Sequence, residues 1–380
     1  MKQKKTWLLL ALGLILMPHK LWAGEMPLRE VEKTQSCLAN LVDEQLSENV
    51  GEREKLLEAI NYSLAYLQSN SAAEDYEGLG IKRDRVERSL LRFQELLLSK
   101  PTQIEFQAAL EQEFVCYQSL GKDGQGTVLF TGYFEPVYRA SRRQTAEYAY
   151  PLYRKPADFD SWGKPHPTRL ELEGEDGLAR DSILSGYELV WLGDRLEAFL
   201  IQVQGSAKLE LTDGTIMTVG YDGSTDYPYL SIGGELVKDG KFKLEEISLP
   251  VLIDYFQAHP GELDEYLPRN NRFIFFRDTQ GAPPRGSLGV PVTSDRSIAT
   301  DKTLMPPGGL ALIKTTIPSV NGLGEIEMVQ VSQYVLDQDT GSGIKGAGRV
   351  DIFMGSGEVA GERAGVMNAT GELYYLLLNN

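Results

Sequence analysis

Asp339-Thr-Gly-Ser-Gly-Ile-Lys-Gly-Ala-Gly-Arg-Val-Asp351-Ile-Phe-Met-Gly-Ser-Gly357 sets two aspartates among six glycines, with an apolar Ile-Phe-Met run after the second. Glycine lets backbone turn tightly or approach a ligand closely. Carboxylates on such turns either perform chemistry or hold a loop together, and the two aspartates need not share a role. The Asp339-Thr-Gly-Ser342 head resembles the active-site loop of aspartic proteases. Those enzymes need two such loops, because two close carboxylates must share one proton. A single copy is present here, so that reading would require a symmetric dimer. Cleavage of a glycosidic bond fits better. It needs an acid to protonate the leaving oxygen, and most glycosidases add a second carboxylate. Ile352, Phe353 and Met354 predict an apolar setting that keeps Asp351 protonated. The polar, turn-rich surroundings of Asp339 predict an ionised helper.

Two further constellations accompany this stretch. In Gly132-Tyr-Phe-Glu-Pro136, two aromatics precede a rigid proline and sit beside a carboxylate. That suits a sugar-stacking wall, and a strand end with core aromatics is an equal alternative. Ala198-Phe-Leu-Ile-Gln-Val203 reads as a strand, which would put Gln202 and Gln204 on one side just before Gly205-Ser206. Such amides hydrogen-bond sugar hydroxyls, or form an ordinary polar face.

Outward from these motifs the chain has two textures. From Arg29 to Leu120 it reads as helices, with Leu56, Ile60, Leu64 and Leu67, then Val86, Leu90, Phe93 and Leu97, at helical spacing. Thr102 and Glu105 form a capping-box pattern before Ile104, Phe106, Leu110 and Phe114, all expected in the core. After Gly121, Thr127–Thr131 and Leu310–Lys314 read as strands among Asp-Gly and Gly-Gly turn signals. One helix is predicted over Leu249–Gln257, with Ser248 as its cap and Pro250 in its first turn. Leu236–Glu245 reads as polar surface. Blocks of helices and strands, not alternation, predict a mainly β, α+β chain of barrel type.

Composition narrows the chemistry. Lys2, Lys4 and Lys5 precede the apolar run Trp7–Met17, and Leu21-Trp22-Ala23 offers a cleavage point, so residues 1–23 read as an export signal. An uncleaved anchor is the alternative. No cysteine follows the run, so no lipid anchor is expected. Removing residues 1–23 takes away four lysines and no acid, moving the net charge from −16 to −20. That argues against nucleic acid, whose phosphates demand Lys and Arg, and against anionic lipid. Two cysteines, Cys37 and Cys116, are permitted a disulfide in an oxidising compartment, and two separate thiols are the other reading. His166 and His259 have no ligand-spaced partners, no EF-hand spacing occurs, and no metal or cofactor is expected. No Gly-x-Ser-x-Gly elbow stands out.

Taken in order, several segments resemble the MltA family of lytic transglycosylases, murein-cleaving enzymes with a three-aspartate (3D) domain. They are Phe130-Thr-Gly-Tyr-Phe-Glu-Pro136, Phe199-Leu-Ile-Gln-Val-Gln-Gly-Ser206, Ser231-Ile-Gly-Gly234, Asn271-Arg-Phe-Ile-Phe-Phe276, Leu288–Asp301 and the glycine-rich stretch. The three naming aspartates fall on Asp301, Asp339 and Asp351. The resemblance implies a double-psi β-barrel from residues 127–136 and 282–380. A second β domain, 137–281, would be inserted into it, and a helical segment, 24–126, would precede it. It implies Asp351 as the single catalytic carboxyl, supported by Asp339 and Asp301. Tyr133, Glu135, Gln204, Ser206 and Lys345 would line the groove. The implied reaction cleaves between N-acetylmuramic acid and N-acetylglucosamine and leaves a 1,6-anhydro end without consuming water. The implied partner is the peptidoglycan glycan strand. With the export signal, the expected location is the periplasm, in association with the outer membrane or wall, and a monomer is expected. Two other functions are carried forward: a non-catalytic, expansin-like wall binder, and an inverting glycosidase using Asp351 and Asp339.

Overall fold

A computed structural model describes residues 27–32, 38, 42–48, 50–100, 102–179 and 182–379. The expected export signal and Cys37 lie outside these residues. Cys116 is disulfide-bonded.

The helical spacing of the first hundred residues forms α1 (Val50–Leu67), α2 (Arg83–Ser99) and α3 (Gln103–Glu113). Their periodic Leu, Ile, Val and Phe positions are buried. The Thr102 hydroxyl accepts the Glu105 N–H at the start of α3, a cap worth about 1 kcal/mol. Ile104 departs from expectation: it is 82% exposed, because α3 turns Phe106 and Leu110 inward instead. Phe114 is also not helical, since α3 ends there and a strand begins. The segment carries two strands, β1 (Leu28–Glu30) and β2 (Phe114–Ser119), paired antiparallel.

The chain then forms β3 (Val128–Glu135) and enters a second sheet. Its elements are β4 (Val137–Ser141), β5 (Tyr150–Tyr153), α4 (Arg169–Glu173), β6 (Glu188–Leu192), α5 (Arg195–Gln204), β7 (Ser206–Leu211), β8 (Ile216–Ser224), α6 (Ile232–Lys238), α7 (Leu249–Ala258) and β9 (Ile274–Asp278). The strand order is β5-β6-β4-β7-β8-β9. Helix α7 begins as predicted, with the Ser248 hydroxyl accepting the Val251 N–H and proline in the first turn.

Two expectations fail in this sheet. Ala198–Val203 is not a strand but lies in α5. The Asp194 carboxylate caps it through the N–H groups of Leu196 and Glu197, and Gly205 ends it in the left-handed region at φ 82°. Leu236 is fully buried in α6, so only the residues after it form polar surface.

The remaining elements are β10 (Ser297–Ala299), β11 (Leu310–Val320), β12 (Ile326–Asp339), β13 (Arg349–Ser356), α8 (Glu358–Val366) and β14 (Asn368–Leu378). Strand β14 pairs with β11 and β3, β3 with β13, β13 with β10, β10 with β12, and β12 with β11. The ring closes over six strands as a double-psi β-barrel, and closure removes the edges an open sheet would expose. Strand β2 adds to the outer half of β14.

One apolar core runs from the N-terminal helices into the barrel. Phe93 and Phe106 meet Tyr334 of β12 edge-on, at centroid distances of 5.0 and 6.3 Å. Polar contacts reinforce this join. Arg296, fully buried, donates to Asp43 at 2.6 Å, to Glu52 at 3.1 and 3.2 Å and to the Tyr334 carbonyl at 2.9 Å. The N-terminal segment therefore forms one wall of the barrel's support. No helix among the described residues is long and apolar enough to cross a membrane.

Candidate active site

Side chains alternate across a strand, and that alternation builds the site. On β3, Phe130 and Phe134 turn into the core while Thr131, Tyr133 and Glu135 face the other way. Strand β13 runs parallel beside it, with Asp351 opposite Thr131 and Phe353 opposite Tyr133. The Tyr133 and Phe353 rings lie 5.2 Å apart. Together they form the floor of a cleft of about 1040 Å³ between the barrel and the second sheet.

Glu135, Gln204, Ser206, Asp339 and Lys345 line the same cleft. The structure thus gathers six of the eight predicted site residues, counting Tyr133, on one surface. Gln204 is held there by α5, where its carbonyl accepts the Phe134 N–H at 3.1 Å. Gln202 also borders the cleft, but its side chain is spent on the protein. It points into the protein, accepting from buried Arg169 and from the Ile274 N–H.

Asp301 lies off the cleft wall and fastens the glycine-rich loop. Its carboxylate accepts the Gly346 N–H at 2.8 Å, the Thr303 hydroxyl at 2.7 Å and the Thr303 N–H at 3.2 Å. Burial pushes its pKa up, but these bonds and nearby Lys345 outweigh burial and hold it below the ordinary aspartate value. A depressed folded pKa means stability that is present above the unfolded pKa, about 3.9, and lost as pH falls through the folded value. Asp301→Asn is therefore expected to melt lower than the parent chain near neutral pH, with the gap narrowing on acidification below about pH 4. Thermal melts across that range read the effect, and a gap independent of pH would contradict it.

The two other aspartates exchange the environments expected of them. Asp339 was expected in a polar setting, yet burial pushes its pKa up against the pull of the Ser287 and Thr340 N–H groups, which its Oδ1 accepts at 2.8 and 2.7 Å. The Tyr133 hydroxyl is buried toward Asp339 but outside hydrogen-bond geometry. Lys302 clamps the backbone behind, bonding the Asp339 carbonyl and the buried Asp337 carboxylate. Asp351 was expected in an apolar setting. Alternation along β13 instead turns Ile352 into the core and Asp351 away from it. The Asp351 carboxyl meets the Thr131 hydroxyl and the Arg349 guanidinium, the latter at 3.3 Å. It is not among the residues that line the cleft, although its neighbours Tyr133 and Phe353 are.

Glu135 is a further cleft carboxyl. Burial pushes its pKa up, opposed by the Ser356 hydroxyl at 2.6 Å and by Lys208. Among the described residues, no group of three or more His, Cys, Asp or Glu is arranged to hold a metal ion.

Several cleft residues escaped sequence reasoning. Arg169 on α4 is buried between Phe199 and Phe273, 5.1 Å from each ring, and donates to the carbonyls of Asn270 and Arg272. Tyr227 and Tyr229 also line the cleft. The Tyr-Pro-Tyr run at 227–229 was the available signal for the latter pair.

Comparison with known proteins settles the family. Residues 129–277 match the model of the MltA specific insert domain, and residues 296–377 match the 3D domain. Membrane-bound lytic murein transglycosylase A of Escherichia coli K12 is 31% identical over 264 residues, 68% of each chain. Its Vibrio cholerae counterpart is 32% identical over the same share. The chain belongs to the MltA family of lytic murein transglycosylases. Solved members share the fold. A membrane-bound lytic murein transglycosylase from Agrobacterium tumefaciens superposes with a TM-score of 0.71 at 24% identity, over 93% of this chain and 98% of that one. E. coli MltA with bound chitohexaose gives 0.70 at 25% identity, over 93% and 95%. The insert match spans β3 and the whole second sheet, and the 3D match spans β10 to β14 of the barrel.

Proposed function

We propose that this MltA-family chain cleaves the β-1,4 bond between N-acetylmuramic acid and N-acetylglucosamine of peptidoglycan, with Asp351 as the one acid and base. The observation that carries the assignment is the placement of Asp351 on the strand face that bears Tyr133 and Phe353, the aromatic floor of the cleft. Asp351 lies two residues from Phe353 on the same face of β13, beside the cleft lining, so a glycan extending from that floor along β13 would meet its carboxyl. The Asp351 proton passes to the glycosidic oxygen as the C1–O4 bond breaks. The resulting carboxylate then takes the proton of the muramic acid C6 hydroxyl as O6 closes onto C1. The product carries a 1,6-anhydro end, no water is consumed, and the reaction is a lyase's.

The supporting roles follow from position. Tyr133, Glu135, Gln204, Ser206 and Lys345 contact the glycan, Asp339 shapes the floor beneath Tyr133, and Asp301 fixes the loop. A chain with Asp339 as general base is less well supported, because a base must be ionised to work and burial pushes Asp339 the other way. We place the catalytic barrel at 127–136 and 282–380 and the insert at 137–281. We read the chain as exported to the periplasm, and as a monomer. Chitohexaose bound to a family member in the solved structure supports a glycan ligand.

Incubation of the purified chain with peptidoglycan, followed by mass spectrometry of the soluble fraction, tests the enzyme reading. Soluble 1,6-anhydro muropeptides are expected. Binding to the wall with no soluble fragment would leave the non-catalytic binder in its place.

A further inference from the structure

The contacts on Asp351 fall unevenly on its two oxygens. The Thr131 hydroxyl and the Arg349 Nε both donate to Oδ1. Arg349 Nη2 also donates to the Thr131 hydroxyl at 2.9 Å. With Arg349 occupying that hydroxyl as a donor, its own proton is committed to Asp351. The three side chains form a closed cycle whose geometry the backbone dictates. Thr131 is the register partner of Asp351 across β3 and β13, and Arg349 lies two residues back on the same strand face. Among the described residues no hydrogen bond falls on Oδ2, and the side chain is one-fifth exposed.

We propose that Arg349 and Thr131 are positioning residues that dedicate Oδ1 of Asp351 to holding the carboxyl and leave Oδ2 to give and receive the proton. This rests on the reading of Asp351 as the acid and base. The chemical argument is that Oδ1 accepts both bonds in either protonation state, as a carboxylate oxygen or as the carbonyl oxygen of the acid. The clamp therefore needs no rearrangement as the proton leaves Oδ2 for the glycosidic oxygen with C1–O4 cleavage. Nor does it rearrange when the C6 hydroxyl proton arrives on Oδ2 with C1–O6 formation. The guanidinium also stabilises the carboxylate that exists between the two transfers, by preorganised charge. Tyr133 and Tyr229 both lie within electrostatic reach of Asp351.

The test compares Arg349→Ala, Thr131→Val and Thr131→Ser on peptidoglycan, with Asp351→Asn alongside. Arg349→Ala and Thr131→Val are expected to lower kcat by about 100-fold, the scale of a misplaced catalytic group, with KM little changed. Added guanidinium ion is expected to restore part of the Arg349→Ala loss, and Thr131→Ser to restore most of the Thr131→Val loss. The clamp is overturned if both variants keep the parental kcat, or if neither form of rescue occurs. If Arg349→Ala does not fold, Thr131→Val, which exchanges a hydroxyl for a methyl, carries the test with Thr131→Ser. An active Asp351→Asn would instead overturn the assignment of the acid. An inactive Asp351→Asn beside fully active clamp variants would overturn the clamp alone.

Discussion

Asp351→Asn is expected to lower the release of 1,6-anhydro muropeptides by about 100- to 10,000-fold, the range for loss of a positioned general acid and base. Asparagine keeps the size of the side chain, and its carbonyl oxygen still accepts from Thr131 and Arg349, so the fold and the glycan surface should survive. What is lost is the proton on Oδ2. Glycan binding to the variant, measured by calorimetry, should stay near the parental value while turnover falls. Asp339→Asn should cost less. Its oxygen still accepts the Ser287 and Thr340 N–H groups, and no proton transfer in the scheme passes through it. Equal losses in the two variants would favour the two-carboxylate glycosidase.

The second large effect is on stability. Arg296→Met should destabilise the chain by about 3–5 kcal/mol, the cost of stranding a buried charge partner. Arg296 and Asp43 are both fully buried, 2.6 Å apart. Burial already pushes the Asp43 pKa up, with Arg296 as its main counterweight. Removing the guanidinium leaves that buried carboxyl with the Tyr334 N–H but no positive partner, and takes a donor from the Tyr334 carbonyl. A loss of this size is a large share of the roughly 5–15 kcal/mol that holds a domain folded. The Arg296→Met, Asp43→Leu double variant should lose less than the sum of the two single losses, because the stranded charge is gone. Denaturant unfolding of the four chains measures the coupling. Strict additivity would mean that the pair does not join the N-terminal segment to the barrel.

The elements most legible in the sequence were those with one clean period and a capping residue. Helices α1 and α2 follow their apolar spacing, and Thr102 and Ser248 cap where their side chains predict. Helix α5 was read as a strand because it is apolar on nearly every side. Ala198 and Ile201 pack on the second sheet, while Leu196, Phe199 and Leu200 join the helical cluster beyond it. With no polar face, periodicity gave no signal. Asp194 followed by Glu197 and then Gly205 supplied the start and stop marks that would have corrected it. Barrel closure was legible only through family resemblance. It joins β3 to β13 and β14, more than two hundred residues away, and no local pattern encodes such a pairing.

Sequence reasoning brought six of the eight named residues to the cleft, but not Asp351 or Asp301, and it misjudged the surroundings of the aspartates. Tyr133 and Glu135 could be paired from the sequence because alternation along β3 puts them on one face. The environments of Asp339 and Asp351 were inferred from flanking residues, and that inference fails in a strand. Adjacent residues point to opposite faces, so Ile352 describes the core and not the surroundings of Asp351. The partners that matter, Arg349 and Thr131, come from two positions away and from the neighbouring strand.

In the proposed reaction a sugar hydroxyl, not water, takes the anomeric carbon. Digestion of peptidoglycan in water enriched in oxygen-18, followed by mass spectrometry of the new muramic acid ends, tests it most directly. The expected ends are 1,6-anhydro, each lighter than a reducing end by one water and free of the heavy isotope. Reducing ends carrying oxygen-18 would show that water attacked C1, and would contradict the single-carboxyl transglycosylase proposed for Asp351.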